Sequence, residues 1–94
     1  MKVGALRAGF YLHGCRSLKE KRQRLARLRD KFGKNTAMGV CESNFADDLR
    51  QAEWTFVACA STDRVVQQAL ADVETYLKSS VDAEVTRLDR EWLA

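Results

Sequence analysis

The chain has 94 residues, of which 46% are hydrophobic and 31% charged, and its formal net charge is +3. This length and apolar content exclude a disordered protein and predict one domain, residues 1–94, around a single modest core. No apolar run approaches the about 20 residues that cross a bilayer, and the amino terminus has no signal-peptide core. We therefore expect a cytoplasmic protein that makes no membrane contact. The three cysteines, Cys15, Cys41 and Cys59, contain no C-x-x-C pair, so we expect reduced thiols and no metal site.

The first predicted element is a strand over residues 2–13. Its even positions are mostly apolar and its odd positions include charged and polar residues, which is the period-two pattern of a strand with one buried face. The apolar set comprises Gly4, Leu6, Ala8, Phe10 and Leu12.

A helix is predicted over residues 18–32. Ser17 and Glu20 form a capping box, in which the serine oxygen accepts from the Glu20 amide and the carboxylate reaches back to the Ser17 amide. Leu18, Leu25, Leu28 and Phe32 recur along one stripe of this helix. We expect Gly33 to end it in the left-handed conformation.

The second half of the chain predicts two strands, a helix and a final strand. Residues 37–42 and 53–61 read as strands, and Thr62 or Asp63 can cap a helix with a regular apolar stripe. That stripe comprises Val66, Ala69, Leu70, Val73 and Leu77. Residues 81–93 predict a less regular strand whose mixed charges suit the edge of a sheet. The order βαββαβ, with two one-sided helices, predicts a ferredoxin-like α+β fold: a four-stranded antiparallel sheet with both helices on one face.

Positive charge is concentrated in residues 16–34. This segment holds nine Lys or Arg and two acids, whereas the rest of the chain holds seven bases and eleven acids. Such a dipolar molecule attracts anionic partners to one side. The candidate RNA-binding residues are Arg16, Lys19, Lys21, Arg22, Arg24, Arg27, Lys31 and Lys34. The same pattern is also typical of a solvated helix face, and both interpretations stay open here.

The heptapeptide Arg16-Ser17-Leu18-Lys19-Glu20-Lys21-Arg22, after an amino-terminal strand, resembles the signature of the small bacterial YlxP-like proteins. The resemblance continues through Glu42, Asp47, residues 51–53 and residues 91–93, although Leu49 stands where members usually carry an aromatic residue. It implies a ferredoxin-like fold, a gene neighbourhood shared with translation and ribosome-maturation factors, and no established catalytic activity.

Lys21 differs from the other bases because it falls within the apolar stripe of its helix. An unpaired buried ammonium is costly. We expect it to snorkel to the sheet edge, to pair with Glu42 or Asp47, which are positions that the family resemblance marks, or to contact a ligand directly. Arg24, Arg27 and Lys31 are expected on the exposed face.

The signals for catalysis are weak. His13 and Cys15 lie near a predicted helix start, but no acid is placed to complete a triad. The pair Asp47-Asp48 is not followed by calcium-loop spacing, and the chain has no Gly-rich phosphate loop. We expect no enzyme activity and no cofactor.

Three function classes from the sequence remain, of which an enzyme centred on His13 and Cys15 has the least support. The preferred one is a non-catalytic protein whose basic first helix binds RNA or a ribosomal subunit through phosphates and shape. The alternative is a protein-interaction or self-associating module that uses the sheet face left open by the helices, with a homodimer as the expected form. The candidate residues of that face are Val3, Ala5, Tyr11, Val57 and Cys59.

Overall fold

The computed structural model describes residues 1–94 without gaps. Six elements follow one another in the order strand, helix, strand, strand, helix, strand. They are β1 (Lys2–Tyr11), α1 (Leu18–Phe32), β2 (Met38–Asn44), β3 (Gln51–Ala60), α2 (Asp63–Ser80) and β4 (Glu84–Trp92).

All four strands form one sheet in the order β2-β3-β1-β4, and each neighbouring pair is antiparallel. This confirms the predicted ferredoxin-like fold, including the edge position of the last strand. In the centre of the sheet Leu6 lies opposite Phe56 and Ala8 opposite Trp54, so alternate residues of β1 and β3 share a face. That face is the buried one, because Leu6, Ala8, Trp54 and Phe56 are all buried.

Both helices cover this buried face. Leu25, Leu28 and Phe32 of α1 are buried, and Val66, Leu70, Val73 and Leu77 of α2 are buried at the predicted helical spacing. The rings of Phe32 and Phe56 meet edge to face with centroids 5.7 Å apart, which joins α1 directly to the central sheet.

The helix caps in the structure agree only in part with those predicted from the sequence. Ser17 Oγ accepts from the Glu20 amide at 3.0 Å, as predicted, but the Glu20 carboxylate faces Arg24 rather than the Ser17 amide. Thr62 caps α2 by accepting from the Val65 amide. The predicted left-handed Gly33 is wrong: its φ is −70°, and its amide donates to the Arg29 carbonyl at 2.8 Å, which continues the helical pattern.

Strand ends differ from prediction by one to three residues. β1 stops at Tyr11 because the chain turns at Gly14, whose φ of 69° is readily available to glycine. β2 and β3 extend further towards each other than predicted, to Asn44 and from Gln51. The connection between them is therefore a short loop over residues 45–50, which we call the β2–β3 loop.

Gly4 allows close approach of α2 to β1. A Cβ atom at this position would lie 2.8 Å from a methyl of buried Val66 and 3.3 Å from Leu70. We expect Gly4→Ala to destabilise the protein by about 1–3 kcal/mol, because the stiff Val66 side chain cannot yield without displacing α2. Thermal or denaturant unfolding measures the effect. Gly39→Ala is the matched control, since nothing lies within 4 Å of its added Cβ; equal stability of the two variants would contradict the packing argument.

Candidate functional site

The nine basic residues of the segment 16–34 divide into two groups in the structure. Lys21 and Arg24 turn inward and form ion pairs within 4 Å of a carboxylate. The other seven are exposed and have no carboxylate within that distance: Arg16, Lys19, Arg22, Arg27, Arg29, Lys31 and Lys34. The two groups have different physical roles.

Lys21 holds the β2–β3 loop against α1. Its side chain is 3% exposed, and its Nζ donates to the Phe45 carbonyl at 2.6 Å and to the Asp48 carbonyl at 2.8 Å. Glu42 Oε2 lies 3.3 Å from the same nitrogen. Two of the three ammonium protons are thus donated to loop carbonyls, and the Glu42 carboxylate balances the charge. The buried charge is thus paired with Glu42, one of the two predicted acids, while Asp47 stays exposed without an ion pair.

The β2–β3 loop is shaped to offer these carbonyls. Phe45 has a φ of 61°, unusual for a residue other than glycine. Asp48 Oδ1 accepts from the amides of Arg50 and Gln51 at 2.9 and 3.1 Å. These two backbone hydrogen bonds, with a smaller contribution from the positive charge of Lys21, hold the pKa of Asp48 below its usual value. The loop is therefore fixed both by its own turn and by Lys21.

Arg24 fastens the other side of α1, and the expectation that it is exposed is wrong. Its side chain is 14% exposed. Its Nε donates to the Asp82 carbonyl at 2.8 Å, and Nη1 donates to the His13 carbonyl at 2.9 Å. Carboxylates of Glu20 and Asp82 lie 3.4 and 3.2 Å away. Arg24 thus ties three segments together, because His13 precedes α1 and Asp82 follows α2.

The remaining bases of the segment are all exposed, and we call them together the basic face. It contains six of the eight predicted RNA-binding residues: Arg16, Lys19, Arg22, Arg27, Lys31 and Lys34. Arg29, which the prediction omitted, belongs to it as well. Lys31 Nζ lies 5.0 Å from the centroid of the Tyr76 ring, a cation–π distance. Lys21 is not part of this face, since its ammonium is buried, hydrogen-bonded to two carbonyls and paired with Glu42.

A cleft of about 350 Å³ runs between α1 and the β2–β3 loop. Its cations on α1 are Arg22 and Arg29, and its exposed carboxylates are Asp30 and Asp47. The Lys21–Glu42 ion pair and Trp54 also line it. Charges of both signs and one aromatic ring therefore meet in a single depression.

Trp54 is the unusual member of the cleft. It is 5% exposed, and its Nε1 is the one buried side-chain nitrogen or oxygen that has no hydrogen-bond partner. The Arg29 guanidinium carbon lies 5.6 Å from the indole centroid. An unpaired buried donor costs about 1–3 kcal/mol, which the packing of the indole has to offset. Sequence reasoning missed this feature, because the burial of a strand side chain depends on what packs against it in the fold.

His13 and Cys15, the candidates for catalysis from the sequence, form hydrogen bonds with other residues. His13 Nε2 lies 2.5 Å from Glu84 Oε1, and the buried Cys15 thiol donates to the Ser17 carbonyl at 3.4 Å. No hydrogen bond joins the two side chains. The structure contains no group of three or more His, Cys, Asp or Glu residues that could hold a metal ion.

The face of the sheet away from the helices is uncovered. Val3, Ala5, Tyr11 and Val57 lie there partly buried, and Cys59 is exposed. Cys59 lies opposite Val3 and Val57 opposite Ala5, which groups these four residues towards one end of the open face, with Tyr11 at the other end and Glu91 of β4 beside Ala5. The other end is charged, with Arg7 Nε 3.9 Å from Glu53 Oε1.

The two helices are too short or too polar to cross a membrane, and no candidate span is found.

A family model described as "Protein of unknown function (DUF503)" matches residues 3–90. A comparison with curated proteins gives no match.

The Lys21 network predicts a large effect of removing its ammonium. Lys21→Met keeps the apolar stem but leaves Glu42 and two loop carbonyls without their donor, so we expect a loss of about 3–5 kcal/mol in the free energy of unfolding. Chemical denaturation measures this loss. Lys19→Met, on the exposed face of the same helix, is the control and should change stability by about 0.5 kcal/mol or less. A Lys21→Met variant as stable as the parent would show that the network contributes nothing.

Proposed function

We propose, for a chain that belongs to the DUF503 family of proteins of unknown function, that the basic face of α1 binds RNA. The partner is RNA alone or a ribosomal subunit, contacted through phosphates. The observation that carries the proposal is the group of seven exposed bases without a carboxylate partner. Clustered unpaired Lys and Arg are what phosphate binding requires, since each contact neutralises a phosphate and releases its counterions.

Helix electrostatics support the same interpretation. Arg16 and Lys19 lie at the amino end of α1, where the helix dipole disfavours positive charge. Neighbouring like charges on the basic face also repel each other. Glu20 in the first turn is favourable to the helix dipole, but neither Arg16 nor Lys19 forms an ion pair with a carboxylate. An external polyanion would offset these unfavourable terms, because it approaches from the solvent side of α1.

The proposal also covers the subfamily to which the chain belongs and the cellular process in which it acts. We infer that the chain falls among the YlxP-like members of its family, on the strength of the heptapeptide 16–22 and the positions that follow it. The implied link to translation or ribosome maturation suits a cytoplasmic, non-catalytic protein. The contacts of His13 and Cys15 support a structural role for both residues.

Charge reversal of the basic face tests the proposal. We expect Lys19→Glu, Arg27→Glu and Lys34→Glu together to weaken binding to structured RNA and to ribosomal subunits. The slope of log affinity against log salt should become shallower by about two to three, as expected for three lost phosphate contacts. Fluorescence anisotropy across a salt series gives the slope, and cosedimentation with subunits tests the ribosomal partner. All three residues are exposed and free of ion pairs, so the fold should stay nearly as stable.

The matched control changes the net charge by the same amount elsewhere. Arg50, Arg64 and Lys78 are exposed, lie outside α1 and have no ion pair. Reversing these three should leave most of the binding and most of the salt slope intact. Equal losses of RNA affinity in both triple variants would mean that only overall charge matters. Unchanged RNA binding in the α1 variant would show that the basic face is only a solvated surface.

We propose self-association through the open face as the second candidate function. The observation that favours it is the apolar end of that face, where Val3, Ala5 and Val57 lie together without a covering helix. Gly39 of β2 lies opposite Val57, and because it has no side chain, no group projects from the sheet at that position. Two copies can bury it against each other by a two-fold axis, in which the same patch serves both subunits.

Sedimentation equilibrium over a range of concentrations tests the homodimer. We expect the parent to dimerise and Val57→Arg to shift the equilibrium to monomer, because the new charge would be buried between subunits. Gln51→Arg, at the charged end of the same strand and exposed, should dimerise like the parent. A parent that is monomeric at every concentration would reject the open face as a self-association surface.

A further inference from the structure

The two edge strands of the sheet are protected from pairing to different degrees. β4 carries five charged residues among its nine, and its register with β1 shifts between Gly9 and Phe10. Charges and bulges of this kind keep an edge strand from pairing with other chains. β2 carries only one charged residue, Glu42, and that carboxylate is already paired with the buried Lys21. β2 is therefore the edge that is open to a further strand.

The backbone of β2 has unpaired groups along this edge. The Cys59 amide donates to the Ala37 carbonyl at 3.0 Å. Successive residues of an antiparallel strand direct their amides and carbonyls alternately to the two sides, so those of Val40 and Glu42 point away from β3. Because β2 is the outermost strand, no other strand satisfies these groups. They are the groups to which an extended peptide binds when it adds a strand to a sheet.

The cleft between α1 and the sheet lies over the same edge. Its α1 side includes Arg22, Ala26 and Arg29, and its sheet side includes Glu42 of β2 and Trp54 of β3. A strand added about 4.8 Å beyond β2 would lie beneath the α1 side of the cleft. Every second side chain of that strand would then enter the volume of about 350 Å³. The small Ala26 leaves room for them between the two arginines.

The exposed charges over this edge are mainly positive. Arg22 and Arg29 form no ion pair, and the Arg29 guanidinium carbon lies 5.6 Å from the centroid of the Trp54 ring, so this charge faces the sheet. Asp30 and Asp47 also line the cleft. They lower the positive charge locally, but the segment that contains α1 holds nine bases and two acids. The field over the edge therefore attracts acidic side chains.

We infer that the edge of β2 binds an extended acidic segment of another protein, which becomes a fifth strand of the four-stranded sheet. The backbone of the segment pairs with Val40 and Glu42, and the acidic side chains on one of its faces meet Arg22 and Arg29. A second copy of this chain does not fit. Pairing β2 with β2 about a two-fold axis sets both α1 helices side by side, where their exposed bases repel each other.

Nuclear magnetic resonance with a designed peptide tests the inference on the unmodified chain. The probe is an acetylated and amidated peptide of about seven residues in which threonine and glutamate alternate. We expect saturable chemical-shift changes at the Val40 and Glu42 amides. Hydrogen exchange at these amides should also slow, because they donate to the peptide. The amides of β4, on the opposite edge, are the internal control and should not respond.

Two matched peptides separate backbone pairing from charge. A peptide with lysine in place of glutamate should bind at β2 about tenfold more weakly, because its like charges meet Arg22 and Arg29. The glutamate peptide N-methylated at every amide keeps its charge but cannot donate hydrogen bonds. It should leave the exchange of the Val40 amide unchanged.

Variants of α1 test the charge contacts from the side of the protein. Arg22→Gln together with Arg29→Gln should weaken binding of the glutamate peptide about tenfold, the loss of two partly solvated charge contacts. Arg27→Gln together with Lys31→Gln is the matched control. These two residues are exposed on the same helix but lie outside the cleft, so the affinity should change by less than about twofold. All four residues are exposed, so both variants should fold like the parent.

The outcomes distinguish this interface from the basic-face proposal. Equal binding of the glutamate peptide and its N-methylated form would mean attraction by charge alone and would overturn strand addition. Equal binding of the glutamate and lysine peptides at β2 would overturn the choice of an acidic partner. No response of the β2 amides to the glutamate peptide would overturn the whole inference and leave RNA binding by the basic face standing. Protection of these amides by structured RNA, but not by the peptide, would assign the edge to RNA and also overturn it.

Discussion

The arrangement of α1 against the sheet depends on one buried ammonium group. Lys21 occupies a position in the apolar stripe that the periodicity would give to leucine, and its side chain is 3% exposed. A charge so placed is stable only when it is hydrogen-bonded and paired, and two loop carbonyls together with the Glu42 carboxylate meet that requirement. The β2–β3 loop therefore has to stay where its carbonyls reach the helix. Because that loop forms one side of the cleft, Lys21 also sets the width of the cleft without occupying it.

Arg24 performs the equivalent task on the opposite flank of the helix. Lys21 joins α1 to β2 and the following loop, while Arg24 joins it to the segments around His13 and Asp82. With one flank fixed by the buried Lys21 and the other by the partly buried Arg24, the outer bases form no ion pair that holds the helix in position. This separation of roles explains how a segment with nine bases can be a structural element and an exposed polyanion-binding candidate at once.

Periodicity and capping were sufficient to predict the fold. The alternation in β1, the apolar stripes of both helices and the Ser17 and Thr62 caps are local patterns, and local patterns determine local structure. The anomaly of Lys21 was also visible, since a base within an apolar stripe demands a partner. The sequence did not show that Lys21 pairs with Glu42 rather than with Asp47, because this pairing depends on the strand register that sets Glu42 opposite Trp54. Arg24 was misjudged for the same kind of reason: its partner Asp82 is 58 residues away, beyond any local pattern.

The two surfaces proposed for binding lie on opposite sides of one thin domain, and this has a consequence for how they act together. The basic face lies on the helix side of the sheet, whereas the apolar patch lies on the open side. Were two copies to join through their open faces, both basic faces would point outward and stay accessible. Such a dimer would present two phosphate-binding surfaces on one particle, and an RNA that reaches both would be bound far more tightly than by either alone. RNA binding and self-association would then be complementary properties of the fold rather than competing ones.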